Sequence, residues 1–168
     1  MKKNLIAIIY LAFTLSISAQ TINEICPSNT NYFEMGFDRY PDWIELYNET
    51  DELLNLEGYS LSDDIDNLDK WSFTTQVIES NDFLIISAEK NNLDPAVISF
   101  SFSKKGETIY FVNPEGVIID SVQFFGMETD DSYGRIDGEW YFFEQPTPNN
   151  FNWLEIAYKG YATAPNFS

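Results

Sequence analysis

Ile98-Ser99-Phe100-Ser101-Phe102-Ser103 alternates large apolar and hydroxyl side chains residue by residue. A period of two belongs to extended chain, because successive Cβ atoms point to opposite sides of a strand. The stretch predicts a strand over 97–102 with Ile98, Phe100 and Phe102 on one face and serines on a wet face. The preceding apolar run, Phe83-Leu84-Ile85-Ile86, has no polar face. It predicts a strand over 83–88 in the middle of a sheet, its second face covered by loops or aromatic side chains.

On either side of these stretches the chain consists of short apolar runs punctuated by turn signals, without a helical stripe longer than about two turns. Further strands are predicted over 22–26, 43–47, 59–62, 70–73, 108–112, 118–124, 132–136 and 139–143, some of them edge fragments. Asn113-Pro114-Glu115-Gly116 has a proline with φ already set and a glycine free to take φ > 0, so it joins two strands as a hairpin. Asp137-Gly138 is a second hairpin signal. Asp120 shares a face with Ile118, Val122 and Phe124 in strict alternation, so it must find donors, reach solvent at a bulge or mark a later strand start. The loop 29–41, rich in aromatic residues (Tyr32, Phe33, Phe37, Tyr40), is expected to fold back over the sheet. Gly58, Gly106, Gly134 and Gly138 are expected at turns or close approaches. Pro146 and Pro148 would end strand pairing. The class is all-β.

The first residues suggest export. Lys2 and Lys3 precede an apolar run from Leu5 to Leu15 and a small-residue stretch ending at Ala19, which is the layout of a secretory signal peptide over 1–19. The run is shorter than the roughly 20 apolar residues of a membrane span, so no span is expected after cleavage. About 149 residues remain, a length that fits one domain over 20–152. Residues 153–168 shift to small and aromatic types and suggest a linker or the start of a following module. The expected location is secreted, extracellular or periplasmic.

Nine Lys and Arg against 27 Asp and Glu give a formal net charge of −18, moving to about −20 without Lys2 and Lys3. Such a chain repels phosphate backbones and has no basic stripe, so nucleic acid is not an expected partner. The chain has one cysteine, Cys26, and no histidine. It therefore forms no intramolecular disulfide, and Cys26 is expected to be buried as a small apolar residue. The absence of imidazole excludes a His-dependent triad and a His-based zinc site.

Several segments in order resemble the lamin tail domain as it occurs in secreted bacterial proteins. They are Ile22-Asn23-Glu24-Ile25 with Ser28-Asn29, Asp42-Trp43-Ile44-Glu45-Leu46-Tyr47-Asn48, and Leu56-Glu57-Gly58-Tyr59-Ser60-Leu61-Ser62-Asp63-Asp64. Gly106-Glu107-Thr108-Ile109-Tyr110-Phe111, Asp120-Ser121-Val122, Ser132-Tyr133-Gly134-Arg135 and Pro146-Thr147-Pro148-Asn149 continue the series. The resemblance implies an immunoglobulin-like β-sandwich. It also implies an accessory module of a larger secreted or surface protein, of the kind found beside spore-coat kinase-like domains, nucleases or phosphatases. Animal lamins use this domain for chromatin and protein contacts; the leader and the acidity leave only the fold and the module role to be carried over.

Candidate sites are few. Trp43, Ile44, Leu46 and Tyr47 would fill both faces of an inner strand, and Glu45 among them would need backbone donors or Arg135. Asp63, Asp64, Asp66 and Asp69 offer oxygen ligands for calcium, but the loop lacks the EF-hand glycine and terminal glutamate, and Asx turns explain it as well. The Glu128-Thr129-Asp130-Asp131 run has the same two readings. Trp71, Trp140, Tyr141 and Trp153 would supply a sugar-stacking platform if they formed one exposed row, and are otherwise core or rim packing. A hydrolase would need two acids across a cleft. No residue is singled out as catalytic, cofactor-binding or metal-binding, and no cofactor is expected. The function expected is a noncatalytic extracellular interaction or structural module with a protein or glycan partner. A carbohydrate-binding module is the alternative, followed by a carboxylate-based hydrolase.

Overall fold

The computed structural model describes residues 20–161, so the predicted leader over 1–19 lies outside the described residues. Twelve strands follow in order: β1 (Gln20–Cys26), β2 (Asp42–Asn48), β3 (Leu54–Asn55), β4 (Ser60–Ser62), β5 (Trp71–Ser72), β6 (Val77–Ile78), β7 (Phe83–Ala88), β8 (Gly106–Val112), β9 (Ile118–Phe125), β10 (Ser132–Ile136), β11 (Glu139–Phe143) and β12 (Ala157–Tyr158). A six-stranded antiparallel sheet has the order β12-β11-β10-β1-β2-β7 and a four-stranded one β5-β4-β8-β9, with β3 and β6 as a small separate pair. Among the described residues the only helical element is the 3-10 turn Leu154–Ile156. The first sheet contributes Ile22, Ile25, Ile44, Leu46 and Ile86 to the core, and the second Leu61, Ile109, Phe111, Val122 and Phe124. This two-sheet packing is the immunoglobulin-like sandwich expected from the sequence.

The hairpin signals act as their chemistry requires. Asp137 and Gly138 both take positive φ, 50° and 83°, which matches the twist of the β10–β11 ribbon. In the β8–β9 turn Gly116 takes φ 76°, while Asn113 Oδ1 accepts from the backbone N–H groups of Glu115 and Val117. Asp120 both finds donors and sits at a bulge. The β8–β9 register shifts between Phe111 and Val112, and its carboxylate accepts from the Ile22 N–H at 2.7 Å and Arg135 Nη2 at 2.9 Å. One acid thus ties the edge of the four-stranded sheet to two strands of the other.

Two strand expectations are corrected. The 97–102 segment forms no strand; its one ladder contact is a parallel bridge between Ala88 and Ile98. Ile98, Phe100 and Phe102 are nonetheless buried, so the alternation reports extended chain packed on the core and not a ladder. The 83–88 strand lies at an edge of its sheet, not in the middle. Its second face is apolar because the chain covers it: Phe83 packs on Tyr47 at 4.8 Å and on Phe151 at 5.2 Å, ring centre to ring centre. At the C-terminal end, Ala157–Tyr158 pair with Phe142 and Phe143 inside the sandwich's own sheet, beyond the expected boundary at 152.

Candidate functional site

Strand β2 is buried on both faces. Ile44 and Leu46 point into the core, and Trp43 and Glu45, also fully buried, point away from it, followed on that side by half-buried Tyr47. Two loops cover the outer face. The 29–41 loop lies over the Trp43 end, with Phe33 against Trp43 at 6.4 Å and Met35 Sδ accepting from Ser87 Oγ at 3.3 Å. Asn29 organises it. Its Nδ2 donates to the carbonyls of Phe33 and Pro41, and its Oδ1 accepts from Tyr32 and Phe33 N–H. Cys26 is buried beneath it, its thiol pushed up by desolvation.

The strap 146–152 covers the Glu45 end, and the chain's most unusual chemistry lies under it. Glu24 of β1 and Glu45 of β2 are direct cross-strand partners and both fully buried. Glu45 Oε1 accepts from Asn23 Nδ2 at 2.7 Å and Oε2 from the Asn149 N–H at 2.6 Å. Glu24 accepts from Ser132 Oγ and from the Thr147 N–H, the latter at 3.1 and 3.2 Å, while Thr147 Oγ1 lies 3.0 Å from its Oε2. Asn152 Nδ2 donates to the Asn23 and Arg135 carbonyls at 3.1 and 2.9 Å, and its Oδ1 lies 2.6 Å from Thr147 Oγ1. Gly134 makes room for it: a Cβ there would stand 2.7 Å from Asn152 Nδ2.

Burial sets the electrostatics. Desolvation pushes Glu24 up to about 7, against the lowering effect of Ser132 and Thr147, and Glu45 up to about 8, against that of Asn149 and Asn23. Both acids are fully buried, and their oxygens are taken by donors of the strap and of strands β1 and β10. Arg135, expected as a possible partner of Glu45, instead pairs with Asp120, and Glu45 takes a backbone donor and an amide. Glu24 and Asn152 escaped sequence reasoning, although an acid between Ile22 and Ile25 in an expected strand was a visible signal.

The remaining candidates disperse. In the 62–69 loop Ser62 Oγ accepts from the Asp64 N–H, Asp64 Oδ1 accepts from the Asp66 N–H, and Asp63 pairs with Lys70, so a local turn and an ion pair engage two of the four acids. In the other acidic run Asp130 accepts from Thr30 N–H and Oγ1, and Asp131 from the hydroxyls of Tyr158 and Tyr161, each at 2.6 Å. Among the described residues no group of three or more His, Cys, Asp or Glu side chains is placed to hold a metal ion. Trp71 is core, Trp140 and Tyr141 are neighbours on β11 and point to opposite faces, and Trp153 stands exposed before the 3-10 turn. They form no common platform. An open cleft of about 370 Å³ lies at the end of the sheet beside Thr21, Tyr47, Glu49 and Phe151, and reaches Asn23 and Asn152 at the margin of the acid network.

The sequence profile of the Lamin Tail Domain family matches residues 17–126, more than half of the chain. The chain belongs to the lamin tail domain family. No curated protein matches it. The lamin tail domain is a noncatalytic immunoglobulin-like fold, in agreement with the two sheets seen here. The matched stretch ends before β10, yet β10 pairs with β1 and the strap closes over β1 and β2. In this lamin tail domain the sheet is therefore completed by residues beyond the family match.

Proposed function

We propose that this lamin tail domain acts outside the cytoplasm as a noncatalytic interaction or structural module, an accessory part of a larger secreted or surface protein that engages a protein partner. The observation that carries this reading is the closure of Glu24 and Glu45 beneath the strap. The chain's closely opposed pair of acids with raised proton affinity holds its own fold together and meets no solvent. What the domain offers outward is apolar surface on its loops: Phe37 is 98% exposed, and Phe151, Trp153 and Leu154 are each more than half exposed. Large apolar side chains exposed on the loops of a rigid sandwich suit protein contact. The scattered Trp and Tyr residues make a glycan-stacking role the weaker choice. The leader-like composition of 1–19 supports export.

The test is a photocrosslinking residue at Phe37 or Phe151, with Val77 as control, in the organism that makes the protein, followed by fractionation. A discrete crosslinked protein in the secreted or surface fraction, absent from the control, is expected. Equal labelling at all positions, or a chain retained in the cytoplasm with residues 1–19 intact, would overturn the reading.

A further inference from the structure

The hydrogen bonds around Glu24 require a proton that an ionised carboxylate does not have. Asn152 is fixed in orientation because its Nδ2 faces two carbonyl oxygens, so its Oδ1 can only accept. Thr147 Oγ1 has one hydrogen and two neighbours, Asn152 Oδ1 at 2.6 Å and Glu24 Oε2 at 3.0 Å. Both contacts are full two-centre hydrogen bonds only when Glu24 Oε2 carries a proton and donates it to Thr147, which in turn donates to Asn152; an ionised Glu24 would leave them sharing one hydrogen. Glu45 is different, since its two oxygens face a backbone N–H and an amide NH₂ that can only donate.

We propose that Glu24 is the pH-sensitive half of a clasp: protonated, it holds the 146–152 strap over the outer face of the six-stranded sheet, and when it ionises opposite Glu45 the strap is released. Ionisation removes the donor to Thr147, whose hydroxyl must then turn to Glu24 and abandon Asn152. Once Glu45 is ionised as well, two negative charges stand opposed on adjacent strands in a dry layer, an arrangement that destabilises a sheet.

Among the described residues nothing facing the pair offsets that charge. β1 contributes Cys26 on this face, and β2 contributes Tyr47, followed by Glu49 beyond the strand. β7 places Ile85 beside Glu45, with Asp82 just before the strand. β10 presents Ser132 and Gly134, and its Arg135 lies on the opposite face, paired with Asp120. The strap contains no ionisable residue. The 29–41 loop has Glu34, Asp38 and Arg39, and Arg39 pairs with Glu89. The raised proton affinities, about 7 for Glu24 and about 8 for Glu45, place the transition between neutral and mildly alkaline pH.

The experiment is hydrogen exchange of the full chain, corrected for intrinsic rates, following the Thr147 and Asn149 amides against Ile109 of β8 as an internal reference. Between about pH 6 and about pH 9 the strap amides should lose at least about tenfold in protection relative to Ile109. Glu24→Gln reproduces the protonated acid, with an oxygen for Ser132 and the Thr147 N–H and an NH₂ for Thr147 Oγ1, so its strap should stay protected across the range. Thr147→Val keeps the N–H but removes the relay, so its strap should be weakly protected already at about pH 6, without the step. A flat wild-type profile, a Glu24→Gln profile with the wild-type step, or a Thr147→Val profile retaining that step would each overturn the proposal. If Glu24→Gln does not fold, the wild type and Thr147→Val still decide the matter.

Discussion

Gly134→Ala tests whether Asn152 brackets the strap to the sheet. Gly134 takes no positive φ, so the backbone accepts alanine, and the effect is steric. The added Cβ would lie 2.7 Å from Asn152 Nδ2 and 2.8 Å from its Cγ and Oδ1, closer than atoms approach without displacement. Asn152 must move, and with it go the bonds to the Asn23 carbonyl at 3.1 Å, the Arg135 carbonyl at 2.9 Å and Thr147 Oγ1 at 2.6 Å. At about 1 kcal/mol each this removes about 3 kcal/mol. The lower entropy of an unfolded chain containing alanine returns about 0.4–1 kcal/mol, leaving a net destabilisation of about 2 kcal/mol. With a urea slope of about 1–3 kcal/mol per molar, the unfolding midpoint should fall by roughly 1 M. In an Asn152→Ala background the obstructing atoms are absent, and the same substitution should be neutral or stabilise by up to about 1 kcal/mol. The two changes are therefore coupled by about 2–3 kcal/mol in a double-mutant cycle. Additive effects, or a wild-type background stabilised by Gly134→Ala, would refute the bracket.

Four further outcomes follow from the same structure. Gly106→Ala should be worse, at about 3 kcal/mol or more in urea unfolding, because φ is 103° and the Cβ would meet the Phe124 carbonyl at 2.7 Å, backbone that cannot swing aside. Asp120→Ala leaves the Ile22 N–H and Arg135 without their acceptor and should destabilise by about 3 kcal/mol, measured the same way, with Asp120→Asn milder. Trp43→Phe should stay within about 1 kcal/mol of wild type despite full burial, since Nε1 has no partner among the described residues and its removal relieves an unsatisfied donor; a loss beyond about 2 kcal/mol would contradict this. Stability should fall with alkali: Glu24 and Glu45 bind protons more tightly folded than unfolded, so their contribution is full below about 4.5 and is lost as pH rises through about 7 and about 8, giving a lower urea midpoint at alkaline than at mildly acidic pH.

Much of the fold was legible in local pattern. The strands 83–88, 132–136 and 139–143 fall where their residues predict them, and the Asp137-Gly138 turn follows from two residues able to take positive φ. The short pairs β3, β6 and β12 were not legible, because two residues have no period and exist as strands only through their partners. The alternation in 98–103 specifies which side chains are buried, but a ladder also needs a neighbouring backbone along its length, and here backbone pairing stops at Ile98 and Ser99.

The site divides along the same line. The sequence by itself determined that Glu45 interrupts an apolar strand, that the chain has no histidine and a single cysteine, and that its charge is strongly negative. The tertiary structure alone decided that Glu24 and Glu45 are opposed, that Asp120 and not Glu45 takes Arg135, and that a strap from far along the chain supplies the donors that make their burial tolerable. The reason is physical. Periodicity fixes the face of a strand on which a side chain lies, whereas register and long-range closure fix what meets it there, and a buried carboxyl takes its proton affinity from that second set of neighbours.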